Sequence, residues 1–239
     1  MLNFIKADVL RVLKKKTFIV LTSLVLLIVA VTLIIVLNKD PRGVGVVGSL
    51  LAKAAVFLIG IPVFTAVFSD DFNSKAMQTI IGHGTSRRRL VLSRYCEYLV
   101  ILAQAFAVIS LLSLILFAVW GQVAVSGSFF GYLWKYYLIT ALCVSASMIL
   151  VYGAHNPTFG LVIFICLVAD LLDLVLTGLS LVPFFARHNI DLSLILPSNM
   201  LYEAIDNGKP VFYLVAFLCY IVLPLFLSVK LFEKKELEF

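Results

Sequence analysis

Six apolar runs, each about as long as a hydrocarbon core is thick, limit what this chain can fold into more than any other feature. A helix needs about 20 apolar residues to cross a bilayer. Windows at 17–37, 46–68, 95–119, 132–152, 158–182 and 211–232 all supply that length. Of the 239 residues 62% are hydrophobic and only 13% charged, which leaves too little polar surface for a water-soluble domain of this size. Transmembrane barrel strands are about 10 residues long and alternate in polarity, and none of these runs does. The expected fold class is an all-α membrane protein with six transmembrane helices. The first run is longer than the apolar region of a signal peptide and lacks a small-residue cleavage pattern, so it is expected to stay as a span.

The Lys and Arg positions set the expected orientation. Lys6, Arg11, Lys14, Lys15 and Lys16 precede the first run, and Lys75, Arg87, Arg88, Arg89 and Arg94 lie between the second and third. Lys230, Lys234 and Lys235 close the chain. These make thirteen of the 19 basic residues. Lys39, Arg42, Lys135, Arg187 and Lys209 fall on the other side, and Lys53 lies within a run. The positive-inside rule then places both termini and the 69–94 segment in the cytoplasm. Trp120, Tyr132, Trp134, Tyr136 and Tyr137 gather near the opposite interface, as an aromatic belt does. The net charge of +6 follows from this topology, and no nucleic-acid partner is inferred from it.

Residues 1–16 read as an interfacial amphipathic helix. Leu2, Ile5, Val9 and Val12 recur at helical spacing, while Lys6, Asp8, Arg11 and Lys15 fall mostly on the other side. Such a helix lies in the interface with its lysines toward anionic headgroups. Residues 17–232 then form the six-span domain, and 233–239 a cytoplasmic tail. Asn156 and Pro157 suit the cap and first position of the fifth helix. An outer segment at 183–210 has a mixed pattern and is expected to form short interfacial helices. Gly43-Val44-Gly45-Val46-Val47-Gly48 matches G-x-G-x-x-G, but no strand precedes it, so it reads as a turn into a closely packed helix rather than a dinucleotide site. Cys96, Cys143, Cys166 and Cys219 have no metal-ligand spacing and read as packing residues.

The polar island at 69–94 is the main exception to the hydrocarbon character. Asp70 and Asp71 are placed at the N-terminal end of a short helix, where carboxylates complement its positive end. Phe72, Ala76, Met77, Ile80 and Ile81 give it an apolar stripe. Gly82-His83-Gly84 breaks it, and Thr85 or Ser86 caps the next helix, which carries Arg87, Arg88, Arg89 and Arg94 into the third span. A short amphipathic helix followed by an arginine cluster fits a groove on another protein.

Asp71-Phe72, Gly84-Thr85-Ser86-Arg87 and Ser93-Arg94, set within this topology, resemble the membrane subunits of ABC-2-type (type V fold) ABC transporters. That family commonly has Glu at the position of Asp71 and Lys at that of Arg94, and both differences keep the charge. The resemblance implies a permease that is not itself an enzyme and binds no cofactor. It would dimerise with a second copy or a paralogue in a bacterial plasma membrane. Two copies of a separate ATP-binding subunit would carry ATP and Mg. The helix from Asp71 to Gly84 would be the coupling helix between spans two and three, seated on the ATPase through Asp70, Asp71, Phe72, Ala76, Gly84, Ser86 and Arg87.

Three charges fall inside the runs. Asp170 and Asp173, three apart, are expected to share a face of the fifth span. At about 1.5 Å per residue, Lys53 on the second span lies at a similar depth. An ionised Asp in mid-bilayer is costly, so the three are expected to line a partly hydrated translocation cavity or to form a buried ion pair. An acidic bias would suit a cationic or amphipathic cargo such as an antimicrobial peptide. A proton- or ion-coupled secondary transporter using the Asp pair is the alternative, although no inverted repeat is visible. Intramembrane aspartyl chemistry would need carboxylates on facing helices, which a DLLD on one helix does not supply.

Overall fold

The computed structural model describes residues 2–39, 43–70, 80–82, 84–123, 126–180 and 210–234. Among them the chain is helical, with no strand. Eight helices carry it: α1 (Leu2–Leu13), α2 (Lys16–Lys39), α3 (Val44–Ser69), α4 (Arg87–Val119), α5 (Ser126–Gly153), α6 (Pro157–Val168), α7 (Leu171–Ser180) and α8 (Pro210–Lys234). Among the described residues, five helices are long and apolar enough to cross a membrane, or six if α6 and α7 make one bent span. Several such helices fit a multi-pass membrane protein. The predicted outer segment 183–210 lies outside the described residues except for Pro210, as do 71–79 and the tail beyond Lys234.

Two compact units divide the chain, the first within residues 1–140 and the second within 141–236. In the first, α2 buries only Phe18 and a narrow stripe of Val25, Val29, Leu33 and Leu37, at four-residue spacing. Its Val20, Leu27, Val31 and Ile35 are exposed. That arrangement would be unstable in water, but hydrocarbon solvates apolar side chains as well as a core does. Trp120 Nε1 donates to Asn38 Oδ1 over 2.8 Å, which joins the C-terminal ends of α2 and α4 and shows that the two helices run in the same direction. Small residues allow close approach elsewhere. A Cβ at Gly48 would meet Phe129 Cδ2 at 3.0 Å and Phe129 Cα at 3.3 Å, and one at Gly45 would meet the Tyr132 ring at 3.6 Å. The glycine-rich run is therefore a helix-packing surface, in line with its reading as a closely packed helix start.

Helix α3 is not uniformly α. Val56–Gly60 and Thr65–Ser69 are π-helical, on either side of a short α segment, Ile61–Phe64, that contains Pro62. Pro62 has no N–H to give to the preceding turn. The Thr65 hydroxyl donates back to the Ile61 carbonyl over 3.0 Å, a bond that tends to bend helices.

In the second unit, the Asn156 side chain accepts from the N–H groups of Thr158 and Phe159, and Pro157 takes the first helical position. Both roles follow the sequence reading. Gly160 packs against α5, where a Cβ would lie 2.2 Å from Val151 Cγ2 and 3.3 Å from the Ser147 carbonyl oxygen. Tyr152 and Phe232 place their rings 5.1 Å apart, which seats α8 against the end of α5.

The fifth window corrects an expectation. It is not one straight helix over 158–182 but two, α6 and α7, bent by 62°. The N–H of Ala169 still bonds the Ile165 carbonyl at 2.8 Å, whereas that of Asp170 bonds Leu167 at 3.2 Å, a tighter turn that ends α6. Asp170 then takes φ +56°, in the left-handed region, and its carbonyl accepts from Leu174 to start α7. Asp tolerates this conformation better than most residues because its short side chain can bond locally. With the break between them, Asp170 and Asp173 do not share a face of one continuous helix, and a depth computed along a straight axis does not apply beyond Val168.

Candidate functional site

Several charged groups of the first unit converge where α2 and α4 begin and α3 ends. Helix α1 buries Val9 and Val12, two of the apolar residues read from its pattern. This turns Asp8 toward α4, where its carboxylate accepts from Arg94 Nη1 at 2.5 Å. The same guanidinium donates to Glu97, one turn on, also at 2.5 Å. Arg11 approaches the other Asp8 oxygen at 3.5 Å. Two cations and two carboxylates thus form one chain, with the side chains of Arg94 and Glu97 almost wholly buried. A guanidinium suits this position because it stays charged and its donors spread in a fixed fork. A second tie runs from Lys15, at the turn between α1 and α2, to the Asp70 carboxylate.

Aromatic packing lies beside these ion pairs. Phe64 and Phe68 on α3 stack 4.7 Å apart, each 6.3 Å from the Tyr98 ring on α4. The Tyr98 hydroxyl donates to the Gly60 carbonyl over 3.3 Å, within the π-helical stretch. Helices α3 and α4 are therefore joined by a polar anchor and an apolar cluster at the same level.

The predicted coupling residues fall as follows. Asp70 is helical directly after the π-helical end of α3: its N–H bonds the Thr65 carbonyl, and its carboxylate faces Lys15. Residues 80–82 are helical. Gly84 follows at φ +86°, its N–H bonding the Ile81 carbonyl at 2.9 Å while Thr85 bonds Ile80 at 3.4 Å. That pair of bonds is a Schellman stop, with glycine in the left-handed position it requires. Ser86, in an extended conformation, accepts from the N–H of Arg89 and caps α4, whose first residue is Arg87. Asp71, Phe72 and Ala76 lie outside the described residues. Lys53 is on α3 in the first unit, whereas Asp170 and Asp173 belong to the second, at the α6–α7 break and in the first turn of α7. Among the described residues no three His, Cys, Asp or Glu side chains group as metal ligands.

Sequence reasoning missed Glu97, the Asp8–Arg94 pair and the Lys15–Asp70 pair. One signal was present: Asp8 is the only carboxylate in the first 39 residues. A single acid among lysines in a helix that buries its apolar face is a candidate for an internal cation. Arg94 and Glu97, three apart on a helix, were a second signal. Lys135 is buried in α5 at 8% exposure, which its position in the sequence did not reveal.

What the arrangement can do is mechanical. Both stems of the 71–86 segment are held, the leading one by Lys15 on Asp70 and the trailing one by the Ser86 cap and the Arg94 fork. Both stems continue into helices of membrane-spanning length. No family model matches the chain, and no curated protein matches it.

Proposed function

We propose that this chain is the membrane-spanning permease subunit of an ATP-driven exporter. On this reading it dimerises with a second copy or a paralogue, and two copies of a separate ATP-binding subunit supply ATP and Mg. It resides in a bacterial plasma membrane with both termini in the cytoplasm, and it moves an amphipathic cargo such as an antimicrobial or toxic peptide. The observation that carries the reading is the pair of anchored stems around 71–86, each continuous with a long apolar helix. A short helix between such stems can pass a push from an attached ATPase into α3 and α4, because neither stem can yield without disturbing α1. The family resemblance of Asp71-Phe72, Gly84-Thr85-Ser86-Arg87 and Ser93-Arg94 supports the same assignment.

The test is recovery of the tagged chain from its native membrane, with identification of what accompanies it. A stoichiometric ATP-binding subunit is expected with the wild type, and its loss in Phe72→Ala. Arg87→Glu should leave the protein in the membrane while separating ATP hydrolysis from export. Recovery of the chain without an ATPase, together with unchanged transport in both variants, would overturn the proposal.

One observation favours a second reading, a proton- or ion-coupled secondary transporter. The α6–α7 break puts a carboxylate at an interrupted helix, the kind of element from which transporters build ion sites. Transport by the purified chain in vesicles, driven by an ion gradient with no ATPase present, would support it.

A further inference from the structure

Among the described residues, the carboxylates at the end of the first unit where α2 and α4 begin are each paired with a cation of the chain, and this leaves an outer face of unpaired positive charge. Asp8 and Glu97 are taken up by Arg94, and Asp70 by Lys15. Lys6, Lys14 and Lys16 on the α1–α2 stretch, and Arg88 and Arg89 in the first turn of α4, are exposed and have no ion-pair partner among the described residues. Helices α2 and α4 run in the same direction from this end, so the two groups of cations lie at one level. Arg88 and Arg89 also occupy a helix start, whose dipole disfavours cations unless anions surround them.

We propose that these five side chains form a single composite face for the phosphate-bearing headgroups of anionic phospholipids, with the Asp8–Arg94 bridge holding its two halves in register. Charge complementarity selects the occupant. A helical protein of membrane-spanning length presents this ring of cations where its spans begin, which is the level of the headgroups. Phosphate diesters there meet ammonium and guanidinium donors that no protein carboxylate among the described residues neutralises. Helix α1 contributes Lys6 to the face only while it is docked on α4, so the internal salt bridge governs an external binding surface. The proposal concerns lipid alone and stands apart from the identity of any cargo or ATPase.

The full chain is reconstituted into vesicles of phosphatidylcholine mixed with phosphatidylglycerol, re-extracted gently, and the retained lipid is quantified against the bulk ratio. Wild type is expected to enrich phosphatidylglycerol about fivefold at low salt, the scale of one well-placed basic contact, with the enrichment falling as salt is raised. The variant Lys14→Gln/Lys16→Gln/Arg88→Gln/Arg89→Gln should lose the enrichment while keeping the wild-type melting temperature in detergent. Asp8→Asn is the decisive arm. It adds one unit of positive charge, so charge count alone predicts more phosphatidylglycerol, whereas release of α1 predicts less. No enrichment by wild type, or equal enrichment by the quadruple variant, would overturn the proposal, and a rise in Asp8→Asn would overturn the composite face. Failure in vesicles, with the same side chains needed to retain an acidic protein, would replace lipid with that protein as the occupant.

Discussion

Arg94 shows how much one side chain can decide in a chain with few charges. Its guanidinium answers Glu97 and shares Asp8, so removing it leaves carboxylates facing each other in a buried setting. Breaking a buried pair from one side costs about 3–5 kcal/mol. Arg94→Ala should therefore lower the detergent melting temperature markedly, and Arg94→Lys should recover part of the loss, since the charge returns but the fork does not. Melting temperatures indistinguishable from wild type in both variants would show that the cluster does not hold α1. At Gly160 the opposite error is expected. An added methyl meets Val151 Cγ2 at 2.2 Å and a backbone oxygen behind it, so Gly160→Ala should cost about 1–3 kcal/mol by overpacking. The same substitution at Gly178, where a Cβ meets nothing within 4 Å, should be tolerated.

Among the elements, those with local causes were legible and those with distant causes were not. Asn156 with Pro157, Ser86, and Gly84 each carry their chemistry within one helical turn, so a start, a cap and a stop could be read from neighbouring letters. The α6–α7 break offered no such punctuation, because LVADLLDL contains neither Gly nor Pro. Only the tolerance of Asp for positive φ hinted at it, and apolar periodicity continued through it undisturbed. The ion pairs of α1 and of the turn that follows it bridge residues 86 and 55 positions apart, beyond the reach of any window. The break itself can be dissected. Asn also tolerates left-handed geometry, so Asp170→Asn should keep the bend and stability while removing the charge. Asp170→Leu should cost about 1–2 kcal/mol through strain. If Asp170→Asn reduces movement of a cationic substrate but spares a neutral one, the carboxylate faces the transport path; an equal loss of both would assign it a purely structural role.

For the whole molecule, the path of α6 and α7 decides the number of crossings. If α6 and α7 together make one bent span, both termini lie on the same side, where Lys6, Lys14 and Lys16 and the last-turn Lys230 and Lys234 reside. If the pair dips in and returns, the termini lie on opposite sides. Reporter fusions at the two ends are expected to agree in sidedness, as the distribution of basic residues predicts, and opposite signals would reduce the count to five. Hydropathy alone could not decide this, since it registers how much apolar chain is present and not whether its axis turns.

The two π-helical stretches of α3 have a consequence for how that helix can move. Each closes its hydrogen bonds over one residue more than α geometry does, and so works as a reserve of slack. If one such stretch tightened to α winding, everything beyond it would rotate by about 100°. Pro62 sits between the two reserves and Tyr98 grips the end of the first. In a rod built this way, a small axial displacement at Asp70 would be taken up as a turn of the faces it presents higher up, as a crankshaft does.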